Sequence, residues 1–520
     1  MFTIGIDIGT TNIKGIVINP EGKKIAYVSR PTRIHYKGTE IADFYPDEIW
    51  QDIKTIISQL CSLCRHPEKI RGIAFASFGE AGVLIDKKGK PMAPSIAWFD
   101  HRSNEIMEAW KKEVDEYEIF QITGLRIGGV SSLAKILWEK RNLLKIYQTA
   151  EKWLFIPSYI INKLTGKYIT DYSMASRSML FDIHKRVWSE KICRLADVRL
   201  DLLPKAEPSA TPVGEIPRRL ASSLGLPGHV VVVLGGHDHP CGAFSTGLRR
   251  KGDIVNSIGT VDVLYSIIDP AMIDQGFFDA AVSCGCHVVE GQTYLIGGTL
   301  TAGIMVDWFI DNFYKHMETE KEKIYDLLVK DACNSPAGSN GVVVLPHLRG
   351  SYTPHKDPMS KGAILGLRTT HTYKDIIRAM FEGLALEFRV ILDKYIELAG
   401  YTYPEVKCIG GGSKNRFWIQ LKADVTERKM IIDKIQEHTS LGAAILAGIG
   451  TGIYRNVDEA FEVTKREEEL IYPRAENSEV YKRLYDTLYR DLYGRLIGIN
   501  QDIEKVFKPE SYTKINEKSG

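Results

Sequence analysis

The chain has 520 residues, a formal net charge of +2 and 25% charged side chains. That length exceeds what one hydrophobic core supports and calls for two or three domains, and the near-neutral balance excludes the global basic field that nucleic-acid binding needs. No apolar run approaches the roughly 20 residues of a membrane helix, and the chain enters a strand directly with no charged leader, so neither a membrane partner nor a secretory signal is expected.

In chain order, the first element is a hairpin, Thr3 to Ile18, in which two apolar strands flank Gly9-Thr10-Thr11-Asn12. Gly9 admits close backbone approach, Thr10, Thr11 and Asn12 offer donors to phosphate oxygens, and Asp7 at the strand end can hold hydrated Mg²⁺. A plain β-turn would look similar, and no Gly-Lys-Ser/Thr follows to make a P-loop. Cys61-Ser62-Leu63-Cys64 resembles half of a zinc site, but no second pair follows and the preceding residues read as helix, so buried thiols are expected there and at Cys284-Gly285-Cys286. The scatter of all eight cysteines points to reduced thiols in a cytoplasmic protein.

Val230 to Leu234 reads as a buried strand ending in Gly235-Gly236, with a boundary near Leu248 to Gly252. A second hairpin follows, Gly252 to Tyr265, with Gly259-Thr260 at its tip. Two such hairpins, one near the start of each half, suit a duplicated domain pair closing on one nucleotide. Farther on, Gly341 to Pro346 reads as a strand, and Tyr373 to Ile396 and Asn415 to Thr426 as helices. Tyr481, Tyr485 and Tyr489 recur at fourfold spacing and read as the core stripe of a terminal helix. The last dozen residues, rich in Lys, Glu, Ser and Gly, are expected to fray.

The chemistry centres on Gly235-Gly236-His237-Asp238-His239-Pro240. A carboxylate directly after a buried strand and at the start of a helix stands where α/β sheets bind ligands, and suits a catalytic base; capping of the helix is the alternative. His237 and His239 flank it, but adjacent residues do not easily converge on one metal ion. A third glycine-rich turn, Gly410-Gly411-Gly412, lets a flat ring such as adenine approach the backbone, or forms a tight strand-to-helix connection.

These segments together resemble the FGGY carbohydrate kinases (xylulokinase, gluconokinase and glycerol kinase-like), of the actin/Hsp70/hexokinase-like superfamily, over nearly the whole chain. The resemblance is carried by Asp7-Ile8-Gly9-Thr10-Thr11, Trp98-Phe99-Asp100-His101-Arg102, Thr123-Gly124-Leu125 with Lys135 and Trp138, Thr170 to Arg177, the Asp238 loop, Ser257 to Thr260, Gly411 to Val425, and Glu437 with Leu441 to Ala444. It implies an α/β fold of two RNase H-like domains, 1–247 and 248–520, with a catalytic cleft between them. It implies transfer of the γ-phosphoryl group of ATP, with Mg²⁺, to a sugar (ketose, deoxy-sugar, aldonate) or polyol, in a cytoplasmic homodimer or homotetramer. The other functional reading is a non-catalytic nucleotide-binding module of the actin type.

Carried onto this sequence, the resemblance makes Asp238 the catalytic base and Asp7 the metal residue. Thr10, Thr11, Asn12, Gly259 and Thr260 grip phosphates, while Gly303, Asp307, Gly411, Gly412 and Asn415 form the nucleotide side. Glu80, Trp98, Asp100, Arg102, Asp238 and His239 face the sugar, with Asp100–Arg102 also readable as a structural pair and Glu80 as an exposed loop residue. Val130 replaces the tyrosine of glycerol kinases and Phe78-Gly79 their Gln-Arg, which argues against glycerol. The Gly-His-Asp-His loop differs from the Gly-Asp-Gln of glycerol kinases and the Gly-Asp-Asn of many xylulokinases, and looks nearer to kinases of deoxy-sugars or to uncharacterised branches of the family. Asp262, two residues past Thr260, is an unusual acid beside a phosphate loop and is read as facing the sugar.

Overall fold

The computed structural model describes residues 1–38, 41–314, 321–464 and 467–507. The expected fraying of the last dozen residues lies outside them. Two large sheets dominate. The first is built from Phe2–Ile8 (β1), Asn12–Ile18 (β2), Lys24–Pro31 (β3), Ile70–Ser77 (β4), Pro212–Glu215 (β5) and Val231–His237 (β6), in the order β5-β6-β4-β1-β2-β3. The second comprises Ile254–Ile258 (β7), Asp262–Ile268 (β8), Ser283–Cys286 (β9), Thr293–Thr299 (β10), Glu405–Ile409 (β11), Lys429–Asp433 (β12) and Glu468–Ile471 (β13), in the order β9-β10-β8-β7-β11-β12-β13. In each, an antiparallel hairpin is extended on the side of its first strand by two parallel strands, β4 and β6 or β11 and β12.

Register explains where a site can form. Ile8 on β1 pairs with Ser77 on β4, and Ser77 with His237 on β6, so three parallel strands end level. Their next residues, Gly9, Phe78 and Asp238, therefore emerge side by side at the carboxyl edge of the sheet. In the second sheet Ser257 on β7 pairs with Ile409 on β11, which brings Gly259 and Gly410 out together. A bulge interrupts β6 between Val233 and Gly236; a Cβ at Gly235 would sit 2.0 Å from the Phe75 carbonyl, so only glycine permits that approach.

The helices carry the apolar faces that bury these sheets. Pro46–Leu63 (α1) lays Ile49, Ile53, Ile56, Ile57 and Leu60 in the first core, the spacing of one helical face. Asp238–Ser245 (α2) leaves the end of β6, and the chain then passes into β7. Gly303–Phe309 (α3), Tyr373–Ala399 (α4) and Arg416–Thr426 (α5) belong to the second half. His438–Gly450 (α6) packs back on the first sheet: Thr3 donates to the Ala444 carbonyl at 2.8 Å, and a Cβ on Gly5 would lie 1.9 Å from the Ser440 carbonyl. It crosses α2 where a Cβ on Gly442 would lie 2.0 Å from the Cys241 carbonyl. The two halves are therefore interleaved at the floor of the cleft.

The expected strand near 341–346 is Val343–Leu345, paired only with Ala363–Leu365 and outside both large sheets. Ala475–Thr487 (α7) and the turn after it bury Tyr481, Tyr485 and Tyr489 in the second core, and their hydroxyls donate to Glu382, Asp393 and the Gly383 carbonyl at 2.7 to 3.0 Å. Cys61 lies on α1 and Cys64 just past its end, both buried.

Candidate active site

The level strand ends of the first sheet form the floor of a cavity of about 270 Å³ between the two sheets. Thr10, Glu80, Trp98, Asp238 and His239 line it from the first half, and Val261, Val263, Ile296, Leu300 and Tyr352 from the second. Asp238, Glu80, Trp98, Thr10 and His239, proposed from separate segments, thus share one space.

Asp238 is the first residue of α2, while the cap position belongs to His237, so the capping alternative fails. Its Oδ1 accepts from the His239 amide at 2.6 Å and lies 3.1 Å from His237 Nε2. Burial, and more weakly Glu80, raise its pKa above the usual 3.8. His237 is buried and its basicity is depressed well below 6.5, first by burial and then by the nearby Arg177 guanidinium. A neutral imidazole at that distance donates Nε2–H to the carboxylate. The His237 amide is in turn fixed by Ser173 Oγ at 2.9 Å.

Asp7 is the next-to-last residue of β1 and lies beside Asp238. Its Oδ1 is buried without a hydrogen-bond partner, and its pKa is pushed up to about 8 by burial and then by the Asp238 charge, with Lys14 pulling the other way. Two neighbouring carboxylates, one with an orphaned oxygen, are a donor set that fits a hard divalent cation. Lys14 is bound by Glu437 at 3.1 Å, which ties the hairpin to the entry of α6.

The turn after Asp7 is closed by the Gly9 amide on the Asn12 carbonyl at 3.1 Å and braced from outside by Thr32, which donates to the Gly9 and Thr11 carbonyls. Thr11 stands exposed at the tip with Asn12 beside it. Trp98 Nε1 donates to Thr10 Oγ1 at 2.9 Å, linking the sugar side to the phosphate side. Across the cleft, Gly259 and Thr260 are exposed at the tip of the second hairpin. The Gly303 amide donates to the Gly259 carbonyl at 3.0 Å, and a Cβ on Gly303 would lie 2.6 Å from that oxygen, so α3 starts directly on the loop. Asp307 is exposed one turn farther along α3. Gly410 adopts φ +90° and Gly412 packs on Ile258, while Gly411 faces open space. Asn415 caps α5 through the Trp418 amide and donates to the Tyr325 hydroxyl at 2.9 Å.

Several expectations need correction. Glu80 is not an exposed loop residue: it is 5% exposed, holds φ +65°, and its Oε1 receives Arg177 Nε and Nη2 at 2.6 Å each. Asp100 and Arg102 do not line the cavity. The Asp100 carboxylate is saturated by Arg102 and by the Ala42 amide at 2.6 Å, and Arg102 reaches on to Asp43 at 2.7 Å, so the pair braces the wall behind Trp98. Asp262 does not face the sugar. Side chains alternate along β8, so Val261 and Val263 point into the cavity and Asp262 points away, to Lys422 and Asn256 in the interior.

Arg177 was not singled out for the site by sequence reasoning, nor was Lys135, whose buried ammonium donates to the carbonyls of Trp98, Gly129 and Val130 at 3.2, 2.5 and 3.0 Å. A lysine set among apolar residues, Leu133-Ala134-Lys135-Ile136-Leu137, was the available signal for the latter. Among the described residues no helix is long and apolar enough to cross a membrane.

Comparison with known proteins adds an independent line. The N-terminal domain of the FGGY family of carbohydrate kinases matches residues 2–245, and its C-terminal domain residues 255–451. A xylulose kinase of Bacillus subtilis (strain 168) is 29% identical over 508 residues, covering 98% of this chain and 99% of that protein. A gluconokinase of the same organism is 27% identical over 457 residues, 87% of this chain and 88% of its own length. The crystal structure of a xylulose kinase from Rhodospirillum rubrum superposes with a TM-score of 0.88 at 25% identity, over 96% of this chain and all of that one (100%).

Proposed function

The chain belongs to the FGGY family of carbohydrate kinases, and from that premise we propose that it transfers the γ-phosphoryl group of ATP to a sugar hydroxyl in the cavity, with Asp238 as the base. The observation that carries the proposal is the level ending of β1, β4 and β6, which sets Asp238 between two adjoining spaces, one shared with Glu80 and the other with Asp7. A non-catalytic nucleotide module is not favoured, since relatives that match this chain over most of its length are named as kinases.

In the reaction the sugar oxygen attacks the γ-phosphorus, the bond from that phosphorus to the β,γ-bridging oxygen breaks, and ADP leaves with the electron pair. The hydroxyl proton passes to the Asp238 carboxylate, which burial has made a stronger base than a free aspartate. His237 holds that carboxylate in place through Nε2–H. Because the transition state is loose and anionic, orientation and charge neutralisation supply most of the rate. Thr10, Thr11, Asn12, Gly259 and Thr260 grip the phosphates from the two hairpins, while Gly303, Asp307, Gly411, Gly412 and Asn415 form the nucleotide side. Asp7 would hold Mg²⁺, whose charge would neutralise the transferring group. Closure of the two halves keeps water from competing with the sugar. The thiols, seven of them buried, suit a cytoplasmic enzyme.

The test is ADP release by the purified protein with Mg-ATP against ketoses, deoxy-ketoses, aldonates and polyols. Sugar-dependent release that vanishes on chelation of Mg²⁺ is the expected result. ATP binding with no release for any sugar would move weight to a module without catalysis.

A further inference from the structure

The cavity has two unlike walls. The first half contributes the charged groups Glu80, Arg177 and Asp238 with the imidazoles of His237 and His239, beside Phe78, Trp98 and Val130. The second half contributes Val261, Val263, Ile296 and Leu300, with Ser283, Thr299 and Tyr352 as its uncharged polar members, presented in part by the tip of the β7–β8 hairpin, by β8 and by the end of β10. Strand alternation fixes this difference, because the one acid in that stretch, Asp262, is turned to the opposite face. Leu300 is 38% exposed and Val130, which lines the cavity from the first half, 47% exposed, so part of the apolar lining is open to solvent.

The charges in the cavity are equally decided. Arg177 directs both Nε and Nη2 at Glu80 Oε1 at 2.6 Å, which leaves its guanidinium neutralised. Lys135, behind Trp98, gives its ammonium to three backbone carbonyls. Asp238 keeps its carboxylate toward the cavity, so an incoming carboxylate would meet like charge, and among the described residues that line the cavity none offers an unpaired guanidinium or ammonium. At about 270 Å³ the space lies just below the roughly 300 Å³ at which ordinary ligand pockets begin, which suits one monosaccharide.

We propose, resting on the kinase reading above, that the acceptor is an uncharged ketose that sets its hydroxyls on the Glu80–Asp238 wall and turns an apolar edge, such as the methyl of a 6-deoxyketose, to Val261, Val263, Ile296 and Leu300, and that sugar acids are excluded. Glu80 is then a selectivity residue in two ways: it accepts from sugar hydroxyls and it cancels the cation that a sugar acid would need.

The experiment measures kcat/KM for stereochemically matched pairs, L-fuculose against L-tagatose and L-rhamnulose against L-fructose, with D-xylulose and D-gluconate in the same series. In at least one pair the deoxy member should lead by about 10-fold or more, the usual worth of one apolar group in an apolar pocket. D-gluconate should trail the best ketose by at least about 100-fold. Leu300→Ser, at a half-exposed site, should narrow the deoxy preference toward one. Glu80→Gln, which frees Arg177, should lower the KM for D-gluconate while raising it for the ketose. Active enzyme with no deoxy preference in either pair, or with D-gluconate as the best acceptor, would overturn the inference and leave the kinase reading intact. Silence with every sugar would overturn the kinase reading itself.

Discussion

The β1–β2 and β7–β8 hairpins share one backbone plan and treat their carboxylates in opposite ways. Each turn is closed by a glycine amide, Gly9 on the Asn12 carbonyl at 3.1 Å and Gly259 on the Val261 carbonyl at 2.9 Å, and each first strand has a parallel neighbour on its other side. Asp7 lies one residue before the end of the first strand of its hairpin, faces the cleft and leaves Oδ1 unpaired. Asp262 begins the second strand of its hairpin and is locked by Lys422 and Asn256, with Lys422 fully buried and its ammonium 4.3 Å from the Phe388 ring centroid. The first hairpin therefore carries chemistry, and the second is a shaped grip held rigid from behind. A duplicated fold reuses the backbone while the position of one acid, before or after the turn, decides which copy reacts.

That contrast can be broken by substitution. Asp7→Asn should lower kcat by at least about 100-fold, the equivalent of several kcal/mol of lost charge stabilisation, with melting temperature held. ADP release at saturating sugar reads the first and thermal unfolding the second. Asp262→Asn should do the reverse: leaving the buried Lys422 without its counter-charge, with only Asn256 to accept from it, costs about 3–5 kcal/mol, seen as an earlier urea midpoint, while the folded fraction still turns over. Adding Lys422→Met should return the double variant to within about 2 kcal/mol of the parent, since the uncompensated charge is gone. A catalytic loss in Asp262→Asn matching that of Asp7→Asn, with stability intact, would erase the distinction.

A smaller effect concerns pH. Asp238 works as a base only when deprotonated, and its pKa is raised by burial and by Glu80, so kcat/KM should fall with acid at a pH above the 3.8 of an ordinary aspartate. Glu80→Gln removes a raising charge and frees the lowering one on Arg177, so the acid limb should move to lower pH. A pH–rate profile of the two proteins checks the direction; an unmoved or upward-shifted limb would detach Glu80 and Arg177 from the base.

Local signals made much of this legible in the sequence. Both hairpins, the strand running into Asp238 and the helices over Tyr373–Ala399 and Arg416–Thr426 follow from alternation, glycine positions and helical period, which act over a few residues. What stayed hidden was long-range. Glu80 and Arg177 are 97 positions apart, and Asp262 and Lys422 are 160 apart, so nothing near either acid announced its partner. Asp100 and Arg102 match the family pattern and sit near the cleft, yet their side chains turn to each other and to the Ala42–Asp43 backbone and carboxylate behind Trp98. The return of α6 onto the first sheet likewise depends on Gly5 and Gly442 allowing helices and strands to touch, a fit visible only in three dimensions.

The most direct test is Asp238→Asn, an isosteric change. Burst-free steady-state ADP release should fall by about 100- to 10,000-fold, the usual contribution of a general base, while nucleotide binding and melting temperature stay close to the parent's. Turnover within tenfold of the parent would contradict the assignment of the base and, with it, the account of the site.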